Sequence, residues 1–143
     1  SDGSQSGSVR PSVESRFHLG ILREHPQVNV VLHFQSPYAT AIAAGKELPD
    51  NFNVILEMPY YVGKPVMVDF LPPGSPELAS AVIEASRQSQ MIVIQNHGMV
   101  TYGKTFDETI QRAVFFELAC KVICHQSRPN FISDRMAASL KNA

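Results

Sequence analysis

Residues 91–102, MIVIQNHGMVTY, decide the fold. Met91–Gln95 predicts a strand whose apolar residues run without interruption, so we expect both of its faces to be covered. Asn96-His97-Gly98 then turns the chain, and Met99–Tyr102 supplies a partner strand. This hairpin places a histidine at the point where the chain leaves the sheet.

Helices and strands alternate on the N-terminal side of this hairpin. Helices are predicted from Ser12 to about Glu24, from Ser36-Pro37 to Gly45 and from Ser75 onward. Strands are predicted at Val28–His33, Val54–Met58 and Pro65–Phe70. This alternation is typical of an α/β fold in which helices pack on a central sheet.

The longest predicted helix follows the hairpin. Thr105 and Glu108 form a capping box at its start, and it runs to about Arg128. Its apolar stripe recurs every four residues, at Ile110, Val114, Leu118 and Val122. A short amphipathic segment is expected from Ser133.

Composition limits the classes of function. The chain has 143 residues, 44% of them hydrophobic, and a formal net charge of −1, which fits one domain with its own core. It has no basic block, so we expect no nucleic-acid partner. Its apolar runs are too short for a membrane span, so we expect no membrane partner. The Ser/Gly-rich residues 1–10 are expected to be a flexible lead segment, with the domain at 11–143.

The two cysteines lie four residues apart in the long helix. Cys120 and Cys124 fit two reduced thiols in the cytoplasm. The alternative is a zinc-binding pair, although no second pair completes it. We expect a cytoplasmic location.

A group of candidate ligands surrounds two strand ends. His33 and Gln35 are two residues apart on a strand, so their side chains point to the same face. With His97 and Glu14, they could surround a divalent ion and leave a position for substrate. The alternative is that the two histidines make ordinary local hydrogen bonds. His18, four residues after Glu14, fits either a metal ligand or a packing residue.

Three blocks of sequence resemble the class II aldolase/adducin family. They are PSVESRFHLGILREHPQVNVVLHFQSPYATAIA at 11–43, PPGSPELASAVIEA at 72–85 and MIVIQNHGMVTYGKTFDETIQRA at 91–113. The resemblance extends from Pro11 to Arg128, and it implies a three-layer α/β/α fold with a mostly antiparallel sheet. The family also has an earlier segment with a Gly/Asn-rich phosphate loop. We find no equivalent in residues 1–10, so we expect a partial domain.

The resemblance also implies roles for individual residues. In the family's enzymes, a His-x-His pair and a later histidine bind zinc or a similar ion, which makes His33 the first ligand and His97 the third. Gln35 stands where the second histidine is expected. A glutamine oxygen is a weaker zinc ligand than imidazole, so we expect weakly held zinc.

The first helix carries the remaining implied roles. Glu14 corresponds to the family's acid/base. Ser12 is the first residue of the phosphate-binding serine pair, whereas Val13 replaces the second and cannot bond to phosphate.

The resemblance implies an aldolase-type lyase that cleaves a small, phosphorylated hydroxy-carbonyl sugar through an enediolate. It further implies a homo-oligomer, most simply a tetramer. The rival interpretation is a non-catalytic assembly module like the adducin head, which the replacements at Gln35 and Val13 favour.

Overall fold

The computed structural model describes residues 6–140. Helices are α1 (Ser15–Glu24), α2 (Pro37–Ala43), α3 (Pro76–Ser86), α4 (Phe106–His125) and α5 (Asp134–Leu140), with a π-helical turn at Met58–Val62. Strands are β1 (Val30–Phe34), β2 (Val66–Val68), β3 (Met91–Ile94) and β4 (Gly98–Gly103). Residues 6–10 contain no helix or strand, and the rest of the expected lead segment lies outside the described residues.

The sheet has the strand order β1-β4-β3-β2. β4 pairs antiparallel with both β1 and β3, whereas β2 pairs parallel with β3. The expectation of a mostly antiparallel sheet is therefore confirmed. Because β2 and β3 are parallel, their C-terminal ends lie at one edge of the sheet, together with the turn that leads into β4.

Two hydrophobic clusters cover the two faces of the sheet. Ile92 and Ile94 point into the cluster formed with α1 and α3, while Met91 and Val93 point into the cluster formed with α2 and α4. All four side chains are fully buried. The uninterrupted apolar run therefore reports a strand covered on both faces, as the sequence predicted.

The first helix begins later than predicted. Ser12 does not cap it: α1 begins at Ser15, and the Ser12 hydroxyl accepts the Glu14 backbone N–H at 3.2 Å. The Ser15 N–H bonds to the Ser12 carbonyl at 3.1 Å, which closes a turn before the helix. Glu14 thereby becomes the residue just before α1 and is buried.

The predicted strand Val54–Met58 is wrong. The Val54 N–H bonds to the Phe52 carbonyl and the Met58 N–H to the Ile55 carbonyl, so the backbone forms turns and no sheet ladder. The segment then enters the π-helical turn, where Pro59 occupies an early position that requires no N–H donor. Val54, Ile55 and Met58 pack in or against the α2–α4 cluster, whereas Leu56 is exposed, so burial without strand pairing accounts for most of the apolar pattern.

The apolar stripe of α4 does not face the core. Phe116, Ala119 and Cys120 supply the buried face, whereas Ile110, Val114 and Leu118 are exposed. A four-residue repeat was present on a helix that is apolar on more than one side, and the repeat alone did not identify the packed side.

Within residues 6–140, none of the helices combines the length and the apolar character needed to cross a bilayer.

Candidate metal centre

Three side chains from different elements meet at the edge where β3 ends. His33 lies near the end of β1, His97 lies in the turn between β3 and β4, and Glu14 immediately precedes α1. His33 Nε2 lies 3.1 Å from Glu14 Oε2, and His97 Nε2 lies 3.2 Å from Glu14 Oε1. One carboxylate therefore spans two imidazoles. The sequence predicted these three residues as part of one site, and the fold brings them together.

The proton on His33 can be assigned from its neighbours. Its Nδ1 lies 2.9 Å from the Met99 carbonyl oxygen, which can only accept a hydrogen bond. Nδ1 therefore carries a hydrogen, and Nε2 is the ring nitrogen that faces the Glu14 carboxylate. At their distance of 3.1 Å, a proton or a cation must lie between this nitrogen and the carboxylate oxygen.

His97 has a ring nitrogen without a hydrogen-bond partner. Its Nδ1 is buried without a hydrogen-bond partner among the described residues, and so is Glu14 Oε1. The His97–Glu14 contact is close, but it lacks hydrogen-bond alignment, since Oε1 stays unsatisfied. Buried polar atoms without partners are uncommon and require an explanation.

A divalent cation fits this arrangement. One ligand atom from each of Glu14, His33 and His97 lies within 4.8 Å of the other two. In a tetrahedral zinc site with bonds of about 2.0–2.1 Å, ligand atoms lie about 3.3 Å apart, close to the two contacts seen here. The His33 N–H to Met99 carbonyl bond is also the kind of partner that orients ligating histidines. Three protein donors would leave a fourth position for substrate.

Gln35 lies beside the cluster, and its amide has a defined partner. Its Nε2 donates to the His97 backbone carbonyl. The nitrogen must be the atom that faces this carbonyl, because the side-chain oxygen cannot donate. The bond holds the turn that carries His97. A ligand role for the Gln35 oxygen stays a prediction.

Gly98 allows the two strand ends to approach each other. A Cβ built there would lie 3.0 Å from Gln35 Cγ, 3.2 Å from His33 Cε1 and 2.9 Å from the Phe34 carbonyl oxygen. Any larger residue would push the ligand-bearing strand away. Gln35 and His33 border the same small space, in keeping with the predicted common side.

Ser12 and Val13, just before Glu14, occupy the two positions at which the family resemblance places phosphate-binding serines. Ser12 is exposed, and its hydroxyl oxygen accepts the Glu14 N–H, so its own O–H can still donate to an anion. Val13 is exposed. Its backbone oxygen lies close to Gly74, just before α3: a Cβ added at position 74 would be 3.1 Å from that oxygen. The phosphate role of Ser12 stays a prediction.

His18 belongs to the packing around the site. Its ring stacks on Phe17 with centroids 4.8 Å apart. Burial lowers its pKa, and the nearby His33 lowers that pKa further. His18 is not in the three-residue ligand cluster found among the described residues. The packing interpretation of His18 is therefore the one its contacts favour.

Cys120 and Cys124 are unpaired thiols, the first buried and the second exposed. Burial is the main cause that raises the pKa of Cys120, which disfavours the thiolate that zinc requires. Neither cysteine joins the ligand cluster of the described residues.

Sequence reasoning missed one partner, the Met99 carbonyl. A backbone acceptor carries no side-chain signal. The register between β1 and β4, which pairs Phe34 with Met99, is what sets it beside His33.

A three-layer α/β domain with a Glu-His-His cluster at the β3–β4 turn defines the class of protein. Residues 1–124 match the model of the family described as the Class II Aldolase and Adducin N-terminal domain. The chain belongs to this family, and the resemblance inferred from its sequence blocks is confirmed.

Similar proteins include sugar-phosphate enzymes. The chain is 37% identical over 112 residues to the L-fuculose phosphate aldolase of Methanococcus maripaludis, covering 77% of this chain and 59% of that protein. It is 25% identical over 146 residues to the 3-oxo-tetronate 4-phosphate decarboxylase of Haemophilus influenzae, covering 99% of this chain and 70% of that protein. These curated relatives therefore extend well beyond the length that this chain matches.

A solved structure shares the fold. It is YgbL from Escherichia coli, a putative aldolase/epimerase/decarboxylase, with a TM-score of 0.83 and 24% identity. The match covers 98% of this chain and 70% of that one.

Proposed function

We propose that this domain is the catalytic part of a metal-dependent lyase that cleaves the bond between the α and β carbons of a small phosphorylated carbonyl compound. The single observation that carries the proposal is the Glu14 carboxylate between the Nε2 atoms of His33 and His97, with buried Glu14 and His97 atoms left without partners. This pattern supports a cation site that also contains a carboxylate able to move a proton.

The names of the relatives support one shared chemistry. A retro-aldol cleavage and the loss of CO₂ from a 3-oxo acid both leave an electron pair on the carbon next to a carbonyl. The product of this step is an enolate or enediolate, which must then gain a proton. A bound divalent cation would supply positive charge that stabilises this anion. One site can therefore serve an aldolase or a decarboxylase, and the substrate's leaving group decides which.

The chain's own residues supply the remaining tasks. His33 and His97 would hold the cation, with Gln35 as a weaker third donor. Glu14, which lies beside both histidines, would move the proton. The Ser12 hydroxyl would hold the phosphate and so fix the position of the substrate.

The names of two relatives support a class of substrate. We favour a small phosphorylated hydroxy-carbonyl compound, such as a 3-oxo acid phosphate or a ketose phosphate. The proposal includes zinc as the metal, a cytoplasmic location and a homotetramer. Active sites often complete themselves with a neighbouring subunit's surface.

Metal content is the first test of this proposal. The protein is purified without chelator, and its zinc, manganese and iron are measured by mass spectrometry. We expect one divalent ion per chain, lost in a His33→Ala/His97→Ala double variant that keeps its circular dichroism spectrum. A metal-free wild type that also fails to take up added zinc would overturn the metal site.

The reaction is tested on the full-length protein that contains this domain. Ketose phosphates are assayed for aldehyde release, and 3-oxo acid phosphates are assayed for CO₂ release. We expect one of the two products, and it should disappear after treatment with chelator. A protein that binds zinc but releases neither product would favour the non-catalytic assembly module, in keeping with the replacements at Gln35 and Val13.

A further inference from the structure

One carboxylate on α4 holds the start of α2. Glu117 Oε2 accepts the Ser36 hydroxyl at 2.7 Å and the Ala39 backbone N–H at 2.8 Å. Its Oε1 accepts the Tyr38 backbone N–H at 3.0 Å. The first N–H groups of a helix have no partner within the helix, and Ser36 supplies no side-chain cap here. A side chain 78 to 81 residues further along the chain therefore serves as the cap of α2.

These polar contacts are important for the position of α2, because its buried side chains are small. The helix has seven residues, too few to be stable by itself, and its buried residues are Ala39 and Ala43. Alanine buries little apolar area, so it contributes little to holding a helix in place. Hydrogen bonds to a charged acceptor are stronger than those between neutral groups.

The C-terminal end of α2 holds the segment that leads into His97. The Asn96 backbone N–H donates to the carbonyl of Ala43, the last residue of α2, at 2.9 Å. Gln95 Nε2 donates to the Gly45 carbonyl at 3.0 Å. Carbonyl groups at a helix end have no partner within the helix, so they are free to accept these bonds.

The N-terminal end of α2 holds the same turn from its other side. Gln35 is one residue before Ser36, and its Nε2 donates to the His97 carbonyl. Between the two contacts, Asn96 has a φ of 54°, a left-handed conformation that is less favourable for residues with a side chain. Such a conformation persists where surrounding contacts fix it. Contacts at both ends of α2 thus hold the turn that carries His97.

We propose that Glu117 is a positioning residue for the candidate metal centre. Glu117 is not one of the clustered ligand residues. It fixes α2, and α2 fixes the backbone turn that presents the His97 imidazole. The inference rests on the proposed metal centre, which gives the position of His97 its functional importance. The alternative is that Glu117 only stabilises the fold, in which case its loss would favour opening of the whole domain and not of this turn first.

Hydrogen exchange of the Asn96 amide, measured by NMR on the metal-free chain, separates these alternatives. Glu117→Gln keeps the size of the side chain, but its NH₂ group must face a backbone N–H whichever way the amide is oriented. The Asn96 amide should then exchange about 5- to 30-fold faster. The Asn29 amide, which bonds to the Gly103 carbonyl at the other end of β4, should not change. Equal acceleration of both amides would overturn the positioning role.

Glu108→Gln is the matched control on the same helix. Glu108 accepts the Lys104 backbone N–H and an Arg112 N–H, each at 3.0 Å, and neither partner belongs to α2. This variant should leave the Asn96 exchange rate within about twofold of the wild type. An acceleration as large as that in Glu117→Gln would contradict the proposal, because any loss of stability in α4 would then have the same effect.

Ser36→Ala is a milder variant that keeps the test available if Glu117→Gln does not fold. It removes one of the three bonds, so Asn96 exchange should rise about twofold to tenfold. Ser75→Ala removes the cap of α3, where the hydroxyl accepts the Leu78 N–H, and should leave that rate unchanged. Equal rates in the two serine variants would count against the proposal.

Zinc affinity connects this role with the metal centre. Groups that orient metal ligands alter affinity about 10- to 100-fold, so Glu117→Gln should bind zinc about tenfold or more weakly in competition with a chelating dye. Glu108→Gln should bind zinc as the wild type does. Faster Asn96 exchange with unchanged zinc affinity would overturn the role of Glu117 at the metal centre. A wild type that binds no zinc would instead overturn the proposed metal centre, and the exchange rates, which require no metal, would still decide whether Glu117 positions the His97 turn.

Discussion

A cluster of side chains that includes at least one histidine lies at each end of helix α1. The two clusters differ in whether each buried donor and acceptor has a hydrogen-bond partner. At its C-terminal end, His25 Nε2 lies 2.9 Å from the Ser86 hydroxyl, and the His25 ring stacks on Tyr102. The Ser86 hydroxyl donates to the Ile83 carbonyl, so it must accept from His25. The Tyr102 hydroxyl donates to the Ser86 carbonyl. Each of these contacts joins a donor to an acceptor.

The N-terminal cluster is not satisfied in the same way. His33 Nε2 lies 3.1 Å from the Glu14 carboxylate, and the buried atoms Glu14 Oε1 and His97 Nδ1 have no partner among the described residues. A buried serine beside a histidine could suggest catalysis, yet Ser86 donates its proton to a backbone carbonyl and is not activated. The comparison teaches that a buried carboxylate shared by two imidazoles, with atoms left without partners, distinguishes the candidate metal centre, whereas residue types alone would have suggested both clusters.

The largest expected effect is a loss of activity from a substitution at the N-terminal end of α1 but not from the same substitution at its C-terminal end. Glu14→Gln removes the proton acceptor but keeps its size, so kcat of an active full-length protein should fall about 100- to 10,000-fold. The matched control is Glu24→Gln at the other end of the helix, where the carboxylate bonds to Arg87 on the surface. Glu24→Gln should leave kcat unchanged. Equal losses in both variants would show that the effect comes from the helix and not from the site.

Zinc affinity separates the two histidine clusters directly. Changes to residues around a metal's ligands alter affinity about 10- to 100-fold, so removal of a ligand in His97→Ala should cost about 100-fold or more. His25→Ala should bind zinc as the wild type does. Competition against a chelating dye measures both. Equal affinities for the two variants would remove His97 from the ligand set.

Gln35→His tests whether the side chain at position 35 is a protein ligand in addition to His33 and His97. An imidazole at this position should tighten zinc binding by about tenfold or more. The control is Gln88→His, at an exposed position after α3. If Gln35→His gains nothing over that control, Gln35 serves to hold the His97 carbonyl and is not a ligand.

The smallest effect concerns the satisfied cluster. Tyr102→Phe removes the hydrogen bond to the Ser86 carbonyl and should lower the free energy of unfolding by about 1 kcal/mol. Zinc affinity should not change. Urea denaturation at neutral pH measures the difference. A parallel loss of zinc binding would mean that the two clusters are coupled through α1.

Ionisation of Tyr102 should lower the stability of the folded protein at alkaline pH. Burial raises the pKa of Tyr102 above its ordinary value of 10.0, so the folded state keeps this proton at a pH where the unfolded state loses it. The stabilisation is fully present below pH 10 and is lost as the pH rises above it. Tyr102→Phe should show less decline in stability over that range. An unchanged decline would assign it to another group.

Local sequence patterns were sufficient for the centre of the fold. The apolar run at Met91–Gln95, the Asn-His-Gly turn and the alternation of helices and strands predicted a buried hairpin and covering helices. They also put His33 and His97 at strand ends. Glu14 was included in the candidate ligand group from its position, and the resemblance to a family then added the role of acid/base, which spacing alone could not assign.

Where a local sequence pattern is compatible with more than one structure, the tertiary contacts decided which structure forms. The apolar residues at Val54–Met58 needed burial, and turns against α2 and α4 provided it as well as a strand could. The predicted apolar residues of α4 do lie along one side of the helix, but the other side of the helix packs on the sheet.

The proton on His33 depends on a backbone carbonyl that only the β1–β4 register brings near. Sequence therefore predicted which residues meet at the candidate metal centre and which segments are buried. Tertiary structure determined which face of each element is covered and which lone pairs are left unmatched, because those depend on contacts between residues far apart in the chain.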